Sequence, residues 1–426
     1  MQKQTVALHA GYDKTIGNGE MSVPISQTTA YAFRDAEHAA NLFALKELGS
    51  IYTRLTNPTT DVLESRYAQL EDGVAAIAVA SGQSAIFYAV ANVAQAGDNI
   101  LISDKLYGGA VTLLTFTMKR FGIDAKVFCV ESAGDLEEQI DDKTKAIFFE
   151  SLSNPQIALA DIEKIASVAK KHGVLTICDN TVASAVLCNP IQWGVDIVVH
   201  STSKYTNGQG TAIGGIIIER EGMCEFFKAN AKRYPFFTEP DASYHGLVYV
   251  DVPLPCFSLR IRLGLLRDLG AAQSPFNSWL LINTLETLDL RMQKHSDNAL
   301  EIANFLEAHP KVLKVNYPAL KSDDGYSRAQ KYLKNGKASG LISFEVESYD
   351  EAKRIIDSAK LFSVVVNIGD SKSLIVHPAS TTHSQMSEEE LTVAGIKPTA
   401  VRLSIGLEDS IDLIADLSQA IGEQGI

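Results

Sequence analysis

The sequence predicts an α/β fold in which a large domain built on a mostly parallel central sheet is joined to a smaller α+β C-terminal domain. Three observations carry this. From Thr60 onward, helical stretches alternate with short buried-strand runs, the pattern of a sheet flanked by helices. Beyond about Arg262 the order changes to one long helical stretch followed by strands. The chain has 426 residues and is 46% hydrophobic, too long for one ordinary core and apolar enough for two.

Taken in order, residues 1–60 hold polar, turn-forming stretches such as Gly17-Asn18-Gly19 and Asn57-Pro58, with no sustained apolar period to anchor a core. They read as an arm that lies on something else. Residues 61–262 form the large domain, with strands expected at Ala75–Ala80, Asn99–Ser103, Lys126–Val130, Lys145–Phe149, Val174–Cys178 and Asp196–Val199. Short, nearly continuous apolar runs of this kind suit strands covered on both faces. Residues 263–426 form the second domain: a helical stretch Pro275–Phe305, then strands at Leu341–Glu345, Ser373–His377 and Ala400–Leu403. Internal repeats do not stand out, which argues against a solenoid.

With 51 acidic against 38 basic residues, the net charge of -13 repels nucleic acid and anionic membranes, so small molecules or proteins are the expected partners. The cysteines Cys129, Cys178, Cys188, Cys224 and Cys256 are widely spaced among mostly apolar neighbours and read as core thiols, not as a disulfide frame or a zinc site. Met1–Lys14 lacks a basic start followed by an apolar run, and no apolar stretch is long enough to span a bilayer; the cytoplasm is the expected location.

In parallel α/β sheets, ligands collect beyond the carboxyl ends of the strands, and three such ends carry chemistry here. The first is Ser81-Gly82-Gln83-Ser84, opening the apolar stretch Ala85–Ala94. Small residues at a helix start aim free amides at an anion, so a phosphate fits, although a plain N-cap is the commoner meaning of such a turn. The second is Lys204, set behind Ser201 and Ser203 after a buried run. Most lysines there are solvated, but a desolvated amine loses its proton readily and attacks carbonyls. The third is Asp179, ordinarily a turn former, otherwise a carboxylate for a pyridinium nitrogen. Phosphate cradle, carboxylate and lysine together are the three anchors that pyridoxal phosphate needs. His200 reads as a buried core residue, while His377 and His383 sit in a Pro/Ser/Thr-rich loop that lines or closes the pocket; none needs a chemical role.

These residues lie within a wider set of motifs: Tyr52-Thr53-Arg54 with Asn57-Pro58-Thr59, Ser81 to Ala85, Tyr107-Gly108-Gly109, Glu150 through Asn154-Pro155, Asp179-Asn180-Thr181 and Ser201 to Tyr205. With them the chain resembles, over nearly its full length, the Cys/Met-metabolism group of fold-type I pyridoxal-phosphate enzymes. The block Asn367 to His383, followed by Arg402-Leu403-Ser404-Ile405-Gly406-Leu407-Glu408, resembles the O-acetylhomoserine sulfhydrylase branch most. The resemblance implies that Lys204 forms the Schiff base and that Asp179 pairs with the pyridine nitrogen. It implies a phosphate held by the backbone at Gly82 and Gln83 with the hydroxyls of Ser201 and Ser203. Tyr107 would stack on the ring and carry protons, and Asn154 would touch the ring hydroxyl and lie beside the substrate. Arg402 and Asn367 would grip the substrate α-carboxylate, a planar anion suited to a guanidinium fork.

The resemblance also implies that Tyr52 and Arg54 reach the phosphate of a neighbouring subunit, making a homo-oligomer: a dimer with shared active sites inside a tetramer. The implied reaction is γ-replacement, in which O-acetylhomoserine and sulfide or methanethiol give homocysteine or methionine and acetate. Cystathionine γ-synthases and O-succinylhomoserine sulfhydrylases share the cofactor and the first half of that chemistry. Methionine γ-lyases carry a cysteine where this chain has Gly109, and cystathionine γ-lyases a glutamate where it has Lys372, so both lyase readings lose weight. Ser203 stands where the family usually has threonine, which keeps the hydroxyl. A nucleotide-binding oxidoreductase is disfavoured by the lack of Gly-x-Gly-x-x-Gly after the first strand, and a cofactor-free relative would be expected to have lost Lys204 or Asp179.

Overall fold

The structure is a computed structural model that describes residues 1–15, 18–384, 389, 391 and 395–422. Its larger sheet has seven strands in the order β1-β7-β6-β5-β4-β2-β3. These are β1 Ala75–Val79, β2 Asn99–Ser103, β3 Asp124–Phe128, β4 Thr144–Glu150, β5 Leu175–Asp179, β6 Ile197–His200 and β7 Gly215–Glu219. β3, β2, β4, β5 and β6 pair in parallel, and β7 runs antiparallel to both β6 and β1. Alternate residues feed opposite faces: Leu101, Ile147, Val198 and Ile218 enter one apolar cluster, Ile100, Phe148, Ile177 and Ile217 the other.

The flanking helices begin and end where the local chemistry directs. Helix Pro58–Leu70 starts because the Asn57 side chain accepts from the amides of Thr59 and Thr60 and proline takes the first turn, where its missing N–H is no loss. The Asn57-Pro58 pair, expected as a turn in the arm, is therefore a helix cap. Helix Ile162–His172 buries Ile162, Ile165, Ala166 and Ala169 on one face, gathers Lys170, Lys171 and His172 at its negative end, and stops at Gly173 with φ of 62°.

The smaller sheet has the order β10-β11-β12-β9-β8. Its strands are β8 Lys314–Asn316, β9 Leu341–Glu345, β10 Ser363–Val364, β11 Leu374–Val376 and β12 Ala400–Ser404. β7, β8 and β10 were not among the expected strands: β8 and β10 are too short to show a period, and β7 follows the Gly-rich stretch that carries Lys204 with little to mark its start. The expected helix Pro275–Phe305 is two helices, Pro275–Leu285 and Leu288–Ala308. At the break, the Thr284 carbonyl accepts from the Arg291 guanidinium at 2.8 Å, which serves the end of the first helix from within the second.

Residues 1–10 also differ from a bare arm. Helix Lys3–His9 puts Val6 and Ala7 into the apolar cluster that takes in residues of both sheets, against Pro58–Leu70 and Leu288–Ala308 of its own chain. Helix Ala36–Phe43, capped by Asp35, precedes the Tyr52–Arg54 segment. Gly17 of the expected Gly17-Asn18-Gly19 turn lies outside the described residues. Among the described residues no helix is long and apolar enough to cross a membrane. All five cysteines are free thiols, and Cys178, Cys188 and Cys256 are buried.

Candidate active site

A cavity of about 400 Å³ opens at the carboxyl ends of β4, β5 and β6. Lys204 enters it from the connection between β6 and β7, where its amide donates to the Ser201 carbonyl at 3.2 Å and its carbonyl accepts from Gly208 at 2.8 Å. Gly208 takes φ of +66°, a left-handed turn suited to glycine that aims the loop back at the sheet. The Lys204 Nζ donates to Asn367 Oδ1 at 2.7 Å. Burial, and secondarily the charge of Arg402, push the lysine amine below its ordinary range, toward the neutral nucleophile.

Asp179 ends β5 and Glu150 ends β4, paired in register and facing the same cavity. Enclosure by protein raises both carboxyls, and the proximity of Asp179 pushes Glu150 further, well above the carboxylate range. Asp179 is steadied by the Thr181 amide, which donates to its Oδ1 at 2.9 Å. Two carboxyls enclosed side by side disfavour carrying two negative charges at once.

The helix Gly82–Ala91 starts at the cavity wall, with Ser81 Oγ accepting from the Ser84 amide at 3.1 Å. The amides of Gly82 and Gln83 belong to the first turn, where no intrahelical acceptor exists. A Cβ on Gly82 would lie 2.6 Å from the Cβ of Ser201, so the cradle closes only with glycine there. Ser201 donates its amide to Thr181 Oγ1 at 2.8 Å and lines the cavity. Ser203 also lines it, but its hydroxyl donates to the Gly214 carbonyl at 3.2 Å and accepts from the Gly214 amide at 3.0 Å. Expected as a free donor to the phosphate, the Ser203 hydroxyl is instead committed to holding the lysine loop.

Tyr107 is 40% exposed and stands over the cavity mouth with its amide donating to Glu150 Oε1 at 2.7 Å. Its ring lies across Gly109, where a Cβ would come within 2.5 Å of Tyr107 Cε1, and the Gln83 side chain crosses to the Gly109 carbonyl at 2.9 Å.

Arg402, in the middle of β12, is 2% exposed. Its guanidinium donates to Asn154 Oδ1 at 2.9 Å and to the Asn367 carbonyl at 3.0 Å, both neutral acceptors, and its Nε is buried with no partner. Burial lowers its pKa to about 10. A buried guanidinium that lines a cavity and meets only neutral acceptors is completed by an anion. Asn154, expected to touch the ring hydroxyl, lines the cavity and gives its amide oxygen to Arg402. The cavity-lining Arg402 guanidinium, the Gly82 cradle and the enclosed Asp179 fit the carboxylate, phosphate and ring nitrogen of a pyridoxal-phosphate amino-acid site.

Tyr52 and Arg54 are not brought to the cavity by their own chain. Tyr52 is 42% exposed, with the Arg54 guanidinium 5.3 Å from its ring centre. His200 is buried, with Nε2 2.6 Å from Glu71. His377, expected to line or close the pocket, is pinned instead between Ser380 Oγ at 2.8 Å and the Pro398 carbonyl at 2.7 Å. His383 packs on Gly108 behind Tyr107, and burial lowers its pKa to about 4. Glu150 and Thr181 carry no expected role from the sequence, although both lie within its motifs. The strand-end rule that found Asp179 also finds Glu150, which follows Phe148-Phe149 in the same way.

A family model described as Cys/Met metabolism PLP-dependent enzyme matches residues 4–422. The O-acetyl-L-homoserine sulfhydrylase of Leptospira meyeri is 46% identical over 428 residues, 98% of this chain and 96% of that protein. The homocysteine synthase of Schizosaccharomyces pombe is 43% identical over 420 residues, covering 98% of this chain and 97% of that one. A crystal structure from Campylobacter jejuni, described as an O-acetylhomoserine (thiol)-lyase with an N'-pyridoxyl-lysine-5'-monophosphate, matches with a TM-score of 0.97 at 54% identity, covering 99% of this chain and 100% of that one. The family match reaches from the first helix to the last, across both sheets, and the chain belongs to the Cys/Met-metabolism family of PLP-dependent enzymes.

Proposed function

We propose that the protein replaces the acetate of O-acetylhomoserine with sulfide or methanethiol, breaking the Cγ–O bond, forming a Cγ–S bond and yielding homocysteine or methionine plus acetate. The observation that carries this reading is the shared use of Asn367: its side chain takes the Lys204 amine and its carbonyl takes the Arg402 guanidinium. A lysine base and a carboxylate grip are thereby held at a fixed separation, as an α-amino acid substrate requires. The relatives named for this reaction support the choice of substrate.

Pyridoxal phosphate, when bound, supplies the electron sink that lets charge develop at the substrate Cα. Arg402, which lines the cavity, orients the substrate α-carboxylate. The Lys204 amine, lowered toward neutrality, removes the Cα proton and later returns one. Asp179 keeps a negative charge toward the ring nitrogen. Tyr107 covers the reacting face and limits access of water. The amides of Gly82 and Gln83 and the Ser201 hydroxyl hold the phosphate, with Ser203 shaping the loop beside it.

Tyr52 and Arg54, exposed on their own chain, serve a partner's phosphate in this reading, so that the working unit is a dimer sharing its sites, within a tetramer. The free thiols support a reducing compartment such as the cytoplasm. The substrate is tested by comparing kcat/KM for O-acetyl- and O-succinylhomoserine with sulfide; preference for the succinyl ester overturns it. The cofactor site is tested by the visible absorption of the purified protein, since a wild type that stays colourless after addition of pyridoxal phosphate overturns that part.

A further inference from the structure

Glu150 is a carboxylic acid only 5% exposed, and the chemistry above gives it no task. Burying a carboxyl beside a second one is unfavourable, and structures keep such a group where its hydrogen bonds repay it. Glu150 makes two, in two directions. Oε1 accepts from the Tyr107 amide at 2.7 Å, in the loop that follows β2. Oε2 accepts from the Asn154 amide at 3.1 Å, in the loop that follows β4.

Each amide belongs to a residue whose side chain works in the cavity. Tyr107 begins the helix Gly108–Thr112, so fixing its amide fixes the direction in which the ring leaves the backbone. Asn154 presents Oδ1 to Arg402, Arg402 reaches the Asn367 carbonyl, and Asn367 Oδ1 takes the Lys204 amine. From one carboxyl, a short hydrogen-bonded series therefore leads to the ring above the cavity on one side and to the carboxylate grip and the lysine on the other. The series closes on the sheet, because Ser151, next to Glu150, donates its amide to the Asp179 carbonyl at 3.0 Å.

We propose that Glu150 is a positioning residue that sets the cover of the cavity and its carboxylate grip together, by holding the backbones of Tyr107 and Asn154 with one side chain. The requirement is for two acceptor oxygens. Aspartate is too short to span the two loops, and glutamine offers one oxygen and turns an N–H against an N–H. The two amide hydrogen bonds offset the cost of placing this carboxyl beside Asp179.

The inference rests on the roles read for Tyr107 and Arg402, and the experiment separates the two levels. Holoenzymes carrying Glu150→Ala and Glu150→Gln are compared with wild type, Tyr107→Ala and Arg402→Ala. The readouts are KM for O-acetylhomoserine, the circular dichroism of the cofactor's visible band, and the thermal midpoint. Glu150→Ala is expected to raise KM about tenfold or more, the scale of losing hydrogen bonds to a carboxyl group, and to change the visible dichroism as well. Glu150→Gln, of the same shape, is expected to disturb at least one of the two at an unchanged thermal midpoint. If both variants keep wild-type KM and dichroism, or merely melt earlier, while Tyr107→Ala and Arg402→Ala show their effects, the positioning role falls. If the Tyr107 and Arg402 variants themselves behave as wild type, the reading of the site falls with it.

Discussion

The strand-end cluster and the Tyr52–Arg54 segment are assigned to the same cofactor, yet they are built in opposite ways. Around the strand ends Lys204 is held by Asn367, Asp179 by Thr181, Ser203 by Gly214, and Arg402 by Asn154 and Asn367. In the arm, Tyr52 and Arg54 are exposed and have mainly each other, a guanidinium over a ring at 5.3 Å. An exposed contact of that kind contributes on the order of 0.5–1 kcal/mol, too little to specify a geometry. The lesson is that a fold preorganises groups whose partners lie within the chain, whereas a group destined for another molecule stays unfinished in the single chain.

The largest effect is expected at Lys204. Lys204→Ala removes nucleophile and base at once, so turnover is expected to fall by about 10³-fold or more, with loss of the lysine-linked visible band. Retention of either the rate or the band would remove Lys204 from the centre of the site. Next, Arg402→Ala should raise KM for O-acetylhomoserine by about 100-fold, the scale of a buried charge-assisted pair, with a smaller change in cofactor affinity. A variant that lost cofactor and kept KM would place the guanidinium at the phosphate instead.

The arm is tested by complementation. Arg54→Ala is expected to weaken cofactor binding by about 10–100-fold, as loss of a phosphate contact does. After Lys204→Ala and Arg54→Ala proteins are unfolded and refolded together, mixed dimers should regain activity, because one of their two sites has both residues intact. No recovery, with mixed dimers shown to form, would return Arg54 to its own chain and erase the contrast between the regions. The smallest effect concerns stability. His383 is held to about 4 in the folded chain, below the ordinary 6.5, so between these values the unfolded chain binds the extra proton. Its contribution makes stability fall as pH drops through that window, by at most about 1.4 kcal/mol per pH unit. Denaturation of His383→Asn should show a correspondingly flatter dependence than wild type between pH 4 and 6.5; parallel curves would mean that His383 titrates normally.

Parts of this molecule were legible before any coordinates. Hydrophobic runs place β2 and β9 at their observed limits and β5 and β6 within one residue, because strands covered on both faces are nearly continuously apolar, whereas β3, at the exposed edge of the sheet, is set two residues late. The strand-end rule named Lys204, Asp179 and Gly82, since the ends of parallel strands are where side chains leave the core. The break at Glu286–Thr287 was not legible, for it depends on Arg291 reaching back to a carbonyl one helix away. The family resemblance assigns Ser203 to the phosphate, and only its exchange of two hydrogen bonds with Gly214 reveals its structural commitment.

By itself, then, the sequence determined which residues are buried and which chemistry is present: apolar periods, a lysine, a carboxylate and a helix start at three strand ends. Those are properties of local runs, and local physics suffices for them. The tertiary structure decided the partnerships: Arg402 on β12 with Asn154 after β4, Asn367 with Lys204, and Glu150 spanning two loops. Such contacts join residues as far as 248 positions apart, so they exist only once both sheets have packed around a common cavity.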